Sequence, residues 1–493
     1  EALFNKALRS SVCVHVSLWR EYILYVSSLR FDDSTIRRTT LLKAFDLVLS
    51  NVGLDRDSGA IWSDYLAFLQ RLGGLAKHEE MQMMDLRRKV FHKALSIPLA
   101  NIEQIWKEYD AFENALNKLS AKKLIQERSA IYMTARMAFR ELKLITAAID
   151  AAQSTWVPTP TSWTETDYEI IRAWKRYIAW EKTNPLRLDD ASIVSARVMY
   201  AYKSSLAMMR FFPELWYDAA RYLIDVGKMD EAASLLAQGA EALPRSLILT
   251  FALAELEESR KKDFGEMAKL FDALLAHLET WITETNAKYD AERDTLMALL
   301  RGGDAAATPL ESSGWDGEQR ELEREKEKER NTEIEEKVEI ARKRRLGKIR
   351  EAWSLVWIVY MRVARRSESV KVARNLFKQA KKSELCTHHV YVASALMEYY
   401  ASKDVGIACR IFEAGMKVFG EDDANSEYIA CYLEFLIQQN DENNARALFE
   451  RALTVLKPEQ ARDIWTRFLS HEVQTGELSN ILKVEKRMKE AYP

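Results

Sequence analysis

The sequence pattern that decides the fold is clearest in residues 441–472, which read DENNARALFERALTVLKPEQARDIWTRFLSHE. Trp465, Phe468 and Glu472 lie at offsets of zero, three and seven residues, so one face of an α-helix carries all three. Ahead of them, Ala445–Leu453 combines small residues with Arg and apolar pairs. Small residues let two helices approach closely, and aromatic side chains fill the groove between their ridges. The stretch therefore predicts two packed helices, an Ala-rich helix B followed by an aromatic helix A.

Both patterns recur along the chain. The aromatic pattern of helix A occurs at Trp19/Tyr22, Trp62/Tyr65, Trp106/Tyr109, Trp174/Tyr177, Trp357/Tyr360 and Trp465/Phe468, with weaker copies that begin at Trp216 and Tyr391. The acid at the seventh offset is found at Glu113, Glu181, Glu398 and Glu472, and also at Glu434 in a copy that begins at Glu427. The helix B pattern recurs at Val90–Leu95, Ala196–Tyr200, Ala373–Phe377, Ala408–Phe412 and Ala445–Leu453.

The spacing of the copies predicts the architecture. Trp19, Trp62 and Trp106 are 43 and 44 residues apart, which is the length of one helical hairpin. A single hairpin cannot bury its apolar faces, but stacking on its neighbours does so. We therefore predict an all-α fold, an α-α superhelix (solenoid) of about ten helical hairpins. The Trp rings are expected in the interhelix core and not as exposed stacking platforms for single-stranded nucleic acid.

Composition narrows the class of protein. The chain carries 72 Lys and Arg against 74 Asp and Glu, unlike a uniformly basic nucleic-acid-binding protein. Only 16 Gly and 9 Pro occur in 493 residues, too few for the tight turns of a β-sandwich or barrel. Four cysteines without a CxxC pair predict no disulfide framework and favour a reducing compartment. No run approaches the roughly 18 apolar residues of a membrane helix.

Two stretches interrupt the repeats. The first, about 142–162, contains the Pro-rich segment Val157–Thr161 and is predicted to be an extended helix B followed by a stiffened loop. The second is a charged insertion at about 282–350. The Glu-rich start of its segment Glu318–Arg350 is equally compatible with a solvated helix and with disorder, whereas helix is favoured near Trp353. We interpret Arg342–Arg345 as a solvated helix face, with a nuclear-localisation or phosphate-binding cluster as the alternative.

No sequence motif predicts catalysis or a cofactor. The sequence contains no GxxxxGK[ST] loop, GxGxxG fingerprint, HExxH pair or GxSxG elbow. Cys386, His388 and His389 form the only Cys/His cluster, and the sequence shows no further ligand at metal-site spacing. We therefore expect these side chains to pack in a core or an interface. We predict no enzyme activity, no cofactor, no metal site and no small-molecule substrate.

One surface feature is unusual. Eight basic residues surround one predicted hairpin, and Glu368 is the only acid among them. We call this set the basic patch: Arg362, Arg365, Arg366, Lys371, Arg374, Lys378, Lys381 and Lys382. A solvated face balanced by acids on a neighbouring repeat explains such a set. The alternative is a contact for RNA phosphates or for an acidic protein partner.

Several stretches resemble a known family beyond the repeat pattern. They are Asn101–Trp106, Glu181–Arg187, His388–Tyr400, Asp441–Leu453 together with Ile464 and Trp465, and Ile481–Arg487. The A/B pattern is similar to the HAT (half-a-TPR) repeat. The stretches resemble the HAT-repeat scaffold subunit of cleavage stimulation factor, whose yeast counterpart belongs to cleavage factor IA. The likeness covers nearly the whole chain, and the charged insertion is the main departure from it.

The resemblance implies an organisation and a set of partners. HAT/TPR-like hairpins would form an N-terminal block, residues 1–212, and a C-terminal block, residues 213–493, that makes a homodimer. The family assembles other subunits of the pre-mRNA 3′-end cleavage and polyadenylation machinery in the nucleus, so its contact with pre-mRNA is indirect. It holds its RNA-binding subunit through a Pro-rich tail, which we expect to be absent because the chain stops at Pro493.

Aromatic residues indicate where such a homodimer would form. Tyr399 and Tyr400 are adjacent, and neighbours on a helix point about 100° apart, so one hairpin core is not expected to bury both. Aromatic residues are enriched in interface cores. The predicted dimer interface is Tyr399, Tyr400, Tyr428, Tyr432 and Phe435. The alternative is that the curvature of the superhelix itself buries them.

The favoured function is therefore a non-catalytic scaffold of 3′-end processing. Two alternatives stay open. The first is a solenoid that binds RNA directly through the basic patch, and the second is a HAT scaffold of splicing or rRNA processing, since HAT repeats alone fit both.

Overall fold

The chain folds almost entirely into helices. The computed structural model describes residue 4 and residues 14–30, 33–72, 77–152, 158, 160, 162–306, 317–419 and 425–492. Within these residues there are 21 α-helices and no strand, so the predicted all-α fold is confirmed. None of the described helices combines the length and apolarity that crossing a bilayer requires. Two compact units divide the chain, Glu1–Leu243 and Pro244–Pro493.

The first unit is a series of hairpins, each made of two consecutive helices that pack on each other. Its helices are α1 (Val16–Ser28), α2 (Ser34–Val52), α3 (Gly59–Arg71), α4 (Lys77–Leu95), α5 (Ile102–Leu116), α6 (Lys118–Ile145), α7 (Ala147–Ala152), α8 (Glu165–Lys182), α9 (Ala191–Met208), α10 (Pro213–Asp225) and α11 (Met229–Ala242). The hairpins are α1/α2, α3/α4, α5/α6, α8/α9 and α10/α11. A 3₁₀ turn, Arg56–Ser58, precedes α3.

The second unit continues the same scheme. Its helices are α12 (Leu247–Ser259), α13 (Phe264–Ala306), α14 (Gly317–Ser367), α15 (Val370–Ala380), α16 (His388–Met397), α17 (Val405–Val418), α18 (Asn425–Gln438), α19 (Glu442–Val455), α20 (Pro458–Thr475) and α21 (Leu478–Ala491). They pair as α12/α13, α14/α15, α16/α17, α18/α19 and α20/α21, and a π-helical turn, Glu398–Ser402, extends α16. The described residues thus contain the predicted number of about ten hairpins. The predicted block boundary at residue 212 falls one hairpin ahead of the division between the compact units.

Local sequence signals set the ends of several helices. Thr164 and Asp167 form a capping box at the start of α8. Asp190 and Asp441 each accept a hydrogen bond from a backbone N–H in the first turn of α9 and α19. These bonds satisfy donors that a helix leaves without a partner. Gly227 has a φ of 85°, a conformation that glycine adopts at little cost, and it closes the turn between α10 and α11.

The aromatic face of helix A lies in the core. The tryptophans that begin a helix A pattern and are buried, each at most 9% exposed, are Trp19, Trp62, Trp174, Trp216, Trp357 and Trp465. Trp106 is partly exposed and stacks on Tyr132 with 4.4 Å between ring centroids. These tryptophans therefore lie in the core as predicted, and Trp106 lies at the edge of the core.

Rings also connect one hairpin to the next. A Phe of helix B stacks on an aromatic ring of the following helix A, and the stacked pairs are Phe45/Tyr65 (4.6 Å), Phe271/Tyr360 (4.8 Å), Phe412/Tyr432 (4.6 Å) and Phe449/Phe468 (4.0 Å). Such pairs contribute about 0.5–1.5 kcal/mol beyond the burial of their area. Each of these four pairs therefore stabilises one hairpin against the next.

Small residues allow the close helix approach on which this packing depends. Ala94, Ala373 and Ala445 of helix B are fully buried. A Cβ on Gly239 would lie 3.0 Å from the Trp216 ring, and a Cβ on Gly415 would lie 2.1 Å from the hydroxyl oxygen of Tyr428. A larger residue at either position would push the neighbouring helix away.

The two interruptions are largely helical where the structure describes them. The first begins with the end of α6, which is the expected extended helix, and contains the short α7. Most of the predicted loop at Val157–Thr161 lies outside the described residues. In the second, α13 and α14 pack against each other. Arg342 donates to Asn286 and forms a 3.2 Å ion pair with Asp290. The basic segment Arg342–Arg345 is therefore partly engaged within the insertion.

The buried tryptophans predict a large loss of stability on truncation. Trp465→Ala should lower the free energy of unfolding by about 3–5 kcal/mol, because a large cavity replaces a 5% exposed ring. Leu482→Ala, at a side chain that is 55% exposed, should change it by less than about 0.5 kcal/mol. Urea unfolding followed by circular dichroism measures both. Equal losses of stability for the two substitutions would contradict the burial of Trp465 in the core.

Deletion of residues 302–328 should leave the rest of the chain folded. The α13–α14 contacts of Arg342 and the cores of the hairpins lie outside the deleted segment. The circular dichroism spectrum should still be that of a helical protein, and the melting temperature should be unchanged. If the second unit loses its cooperative transition, the segment contributes to the packing of that unit.

Candidate interaction surfaces

Four acids of helix A are buried in ion pairs with arginines of helix B. Glu113, Glu181, Glu398 and Glu472 are at most 2% exposed. Each accepts two hydrogen bonds from one guanidinium, and the shorter contacts are Arg88 Nε–Glu113 (2.7 Å), Arg197 Nη2–Glu181 (2.7 Å), Arg374 Nε–Glu398 (2.6 Å) and Arg446 Nε–Glu472 (2.8 Å). The paired geometry satisfies carboxylates that would otherwise be costly to bury.

These pairs connect hairpins as well as helices. Arg88, Arg374 and Arg446 reach the helix A of the following hairpin, whereas Arg197 pairs within its own hairpin. The hydrogen bonds from Arg374 lower the pKa of Glu398. This carboxylate therefore contributes stability near neutral pH, and the contribution is lost as the pH falls through its lowered pKa.

Sequence reasoning placed the acids on the inward face but missed their partners. The sequence signal for these partners is an Arg three residues before the aromatic residue of helix B, as in Arg374 before Phe377 and Arg446 before Phe449. Glu434, which has the same offset as the four acids, is exposed and pairs with Arg467 at 2.7 Å. The offset alone therefore does not predict burial.

The basic patch is partly neutralised. Arg374 holds Glu398, and Arg366 makes two 2.7 Å hydrogen bonds to Glu258 of α12. No acidic partner is seen within the described residues for the other six cations of the patch, which are Arg362, Arg365, Lys371, Lys378, Lys381 and Lys382. Five of these six are exposed, and Arg365 is partly buried. The expectation of balancing acids thus holds for two members of the patch.

The five residues of the predicted dimer interface lie in different environments. Tyr428, Tyr432 and Phe435 are at most 5% exposed and belong to the core of their own chain. They cannot meet a partner side chain without opening that core. Tyr399 packs on Phe435 with 5.4 Å between centroids, and Tyr400 is 59% exposed. The surface available for a dimer contact is therefore reduced to Tyr400 and the partly exposed Tyr399.

The Cys/His cluster splits between core and surface. Cys386 is buried, and burial raises the pKa of its thiol to about 12, so the thiol is protonated and unreactive near neutral pH. His388 is buried and His389 is partly exposed. The fold brings Glu427, at the start of α18, next to both histidines, a proximity that sequence spacing did not reveal.

Comparison with known proteins agrees with this architecture. The suppressor of forked protein (Suf) family matches residues 1–493. This chain belongs to the suppressor of forked family. Family relatives include the mRNA 3′-end-processing protein RNA14 of Cryptococcus neoformans (37% identical over 100% of this chain and 47% of the relative), the cleavage stimulation factor subunit 77 of Arabidopsis thaliana (33%, 99% and 55%) and the protein suppressor of forked of Drosophila melanogaster (32%, 99% and 60%).

A solved structure supports the fold of this suppressor of forked chain. The crystal structure of CstF-77 matches 99% of this chain and 83% of that chain, with a TM-score of 0.57 and 17% sequence identity. At that identity the match concerns the fold. The chain spans about half to three-fifths of the length of the curated relatives it matches.

The buried pairs predict an asymmetric response to substitution. Arg197→Met should lower the free energy of unfolding by about 3–5 kcal/mol, because it leaves the 2% exposed Glu181 charged and unpaired. The double variant Arg197→Met/Glu181→Leu should recover most of that loss. Arg467→Met, which breaks the exposed pair with Glu434, serves as the control and should cost about 0–1 kcal/mol.

Urea unfolding measures all three variants. The buried pair does not have the proposed energetic role if Arg197→Met loses as little stability as Arg467→Met. The same holds if the double variant is as unstable as Arg197→Met alone.

Proposed function

We propose that this chain is the HAT-repeat part of a non-catalytic scaffold in nuclear pre-mRNA 3′-end cleavage and polyadenylation. The match of the suppressor of forked family to residues 1–493 carries the proposal. Relatives named for mRNA 3′-end processing align with the whole chain. Stacked helical hairpins present long surfaces for partner proteins, which suits a subunit that assembles other subunits. We further propose that residues 1–212 and 213–493 act as two HAT blocks.

Depletion of the full-length protein from nuclear extract of its own organism tests this proposal. Cleavage of a model pre-mRNA at its polyadenylation site should fall after depletion and return when the full-length protein is added back. Splicing of an intron-containing RNA in the same extract provides the control and should be unchanged. Full cleavage after depletion would contradict the proposal, and a loss of splicing alone would favour a splicing scaffold.

We also propose a homodimer formed through the 213–493 block. The exposed Tyr400 supports it, because a 59% exposed tyrosine beside the partly buried Tyr399 is the kind of aromatic surface that interfaces use. Tyr399 is anchored from below by Phe435, so the contact would rest on a rigid base. Identical chains that associate through one patch most simply form a two-fold pair.

Light scattering tests the homodimer. At micromolar concentration the chain should have about twice its 56.9 kDa mass, and Tyr400→Glu should shift it to the single-chain mass by placing charge in an apolar contact. Leu144→Glu, at an 80% exposed residue of the first unit, is the control and should stay dimeric. A monomeric parent chain, or a dimer that tolerates Tyr400→Glu, would refute this interface.

Direct RNA binding is a second candidate, supported by the six cations of the basic patch that lack an acidic partner among the described residues. Phosphate contacts release counterions, so affinity falls steeply with salt. Fluorescence anisotropy with a single-stranded RNA at two salt concentrations tests it. Lys378→Glu/Lys381→Glu/Lys382→Glu should abolish binding, whereas Lys175→Glu, a cation paired with Glu214, should retain it. Equal RNA binding by both variants would exclude the basic patch as the RNA-binding site.

A further inference from the structure

Two helix N-termini bring potential metal ligands together in the second unit. His388 and His389 begin α16, and Glu427 lies in the first turn of α18. One ligand atom from each residue lies within 4.8 Å of the other two. The Nε2 atom of His388 is 3.6 Å from a carboxylate oxygen of Glu427, and the two imidazole centroids are 4.0 Å apart. The three residues are therefore close enough to hold one metal ion.

His388 is the residue of this cluster that points most clearly to a ligand. The residue is 5% exposed, and its Nε2 atom is buried without a hydrogen-bond partner. Its ring makes edge contacts with Phe419 and Tyr428, at centroid distances of 6.2 and 6.1 Å. A buried nitrogen of this kind normally has a partner, since leaving it unpaired forfeits its hydration. The carboxylate of Glu427 is the acidic group placed next to this nitrogen.

The three side chains offer ligand atoms that a transition-metal ion prefers. A neutral imidazole offers a ring-nitrogen lone pair to a metal ion, and no hydrogen-bond donor from the described part of the chain occupies the buried Nε2 atom of His388. His389 supplies a second nitrogen. Glu427, whose side chain is 67% exposed, supplies negative charge and an entry path from solvent. That charge is needed because helix N-termini disfavour cations.

We propose that His388, His389 and Glu427 bind one divalent transition-metal ion of the Zn²⁺ type. Two imidazoles and one carboxylate are a ligand set that zinc accepts, with water in the fourth position. Because α16 and α18 are the first helices of successive hairpins and pack on each other, the ion ties one hairpin to the next. The site is independent of the scaffold role proposed above.

Titration of the full chain with Zn²⁺ tests the site. The protein is prepared without a polyhistidine tag, stripped with a chelator and titrated with zinc chloride by isothermal titration calorimetry. We expect about one ion per chain. Glu427→Gln, at an exposed position that should not disturb folding, and His389→Ala should each weaken binding by more than about tenfold. His277→Ala, at an exposed histidine of α13, is the control and should bind like the parent chain.

Cobalt substitution gives a second measurement that reports coordination directly. Co²⁺ added to the stripped parent chain should produce visible absorption bands of a low-symmetry four-coordinate site, and Glu427→Gln should remove them. The proposal is overturned if the parent chain binds no zinc stoichiometrically, or if Glu427→Gln and His389→Ala bind it as tightly as His277→Ala does.

Discussion

The repeated link between helix B and a carboxylate of helix A is the constraint on which the structure depends. Glu113, Glu398 and Glu472 each point into the space between two hairpins, where water cannot solvate them. An arginine of the preceding helix B therefore has to reach each one. Because a buried carboxylate without its guanidinium is strongly unfavourable, the pair fixes the position of one hairpin on the next. The stacked rings then complete the same interface with apolar area.

This constraint also explains which cations remain available for partners. Arg374 is close in sequence to exposed lysines such as Lys378 and Lys381, yet it is committed to Glu398. Helix B therefore carries two kinds of basic residue, one that holds the stack and one that faces solvent. A charge-reversal variant of Arg374 would test stability, whereas one of Lys381 would test binding.

Much of the fold followed from periodicity, and the rest depended on contacts distant in sequence. Offsets of zero, three and seven identified the buried face of Trp465, Phe468 and Glu472, because a helix repeats every 3.6 residues. Periodicity could not separate Glu434, which is exposed, from Glu472. The abundance of aromatic residues placed Tyr428 in the predicted dimer interface, whereas the packing of α18 puts this ring in the core of its own chain. The proximity of Glu427 to the histidines arises only when α16 and α18 pack.

Amide hydrogen exchange of the Arg446→Met variant, measured for each helix, tests most directly whether the buried pairs couple neighbouring hairpins. If the Arg446–Glu472 pair links α19 to the following hairpin, amide exchange should accelerate in α20 as well as in α19 while α10 of the first unit stays unchanged. Acceleration confined to α19 would show that the hairpins are not coupled through the buried pair, and the central claim would then be wrong.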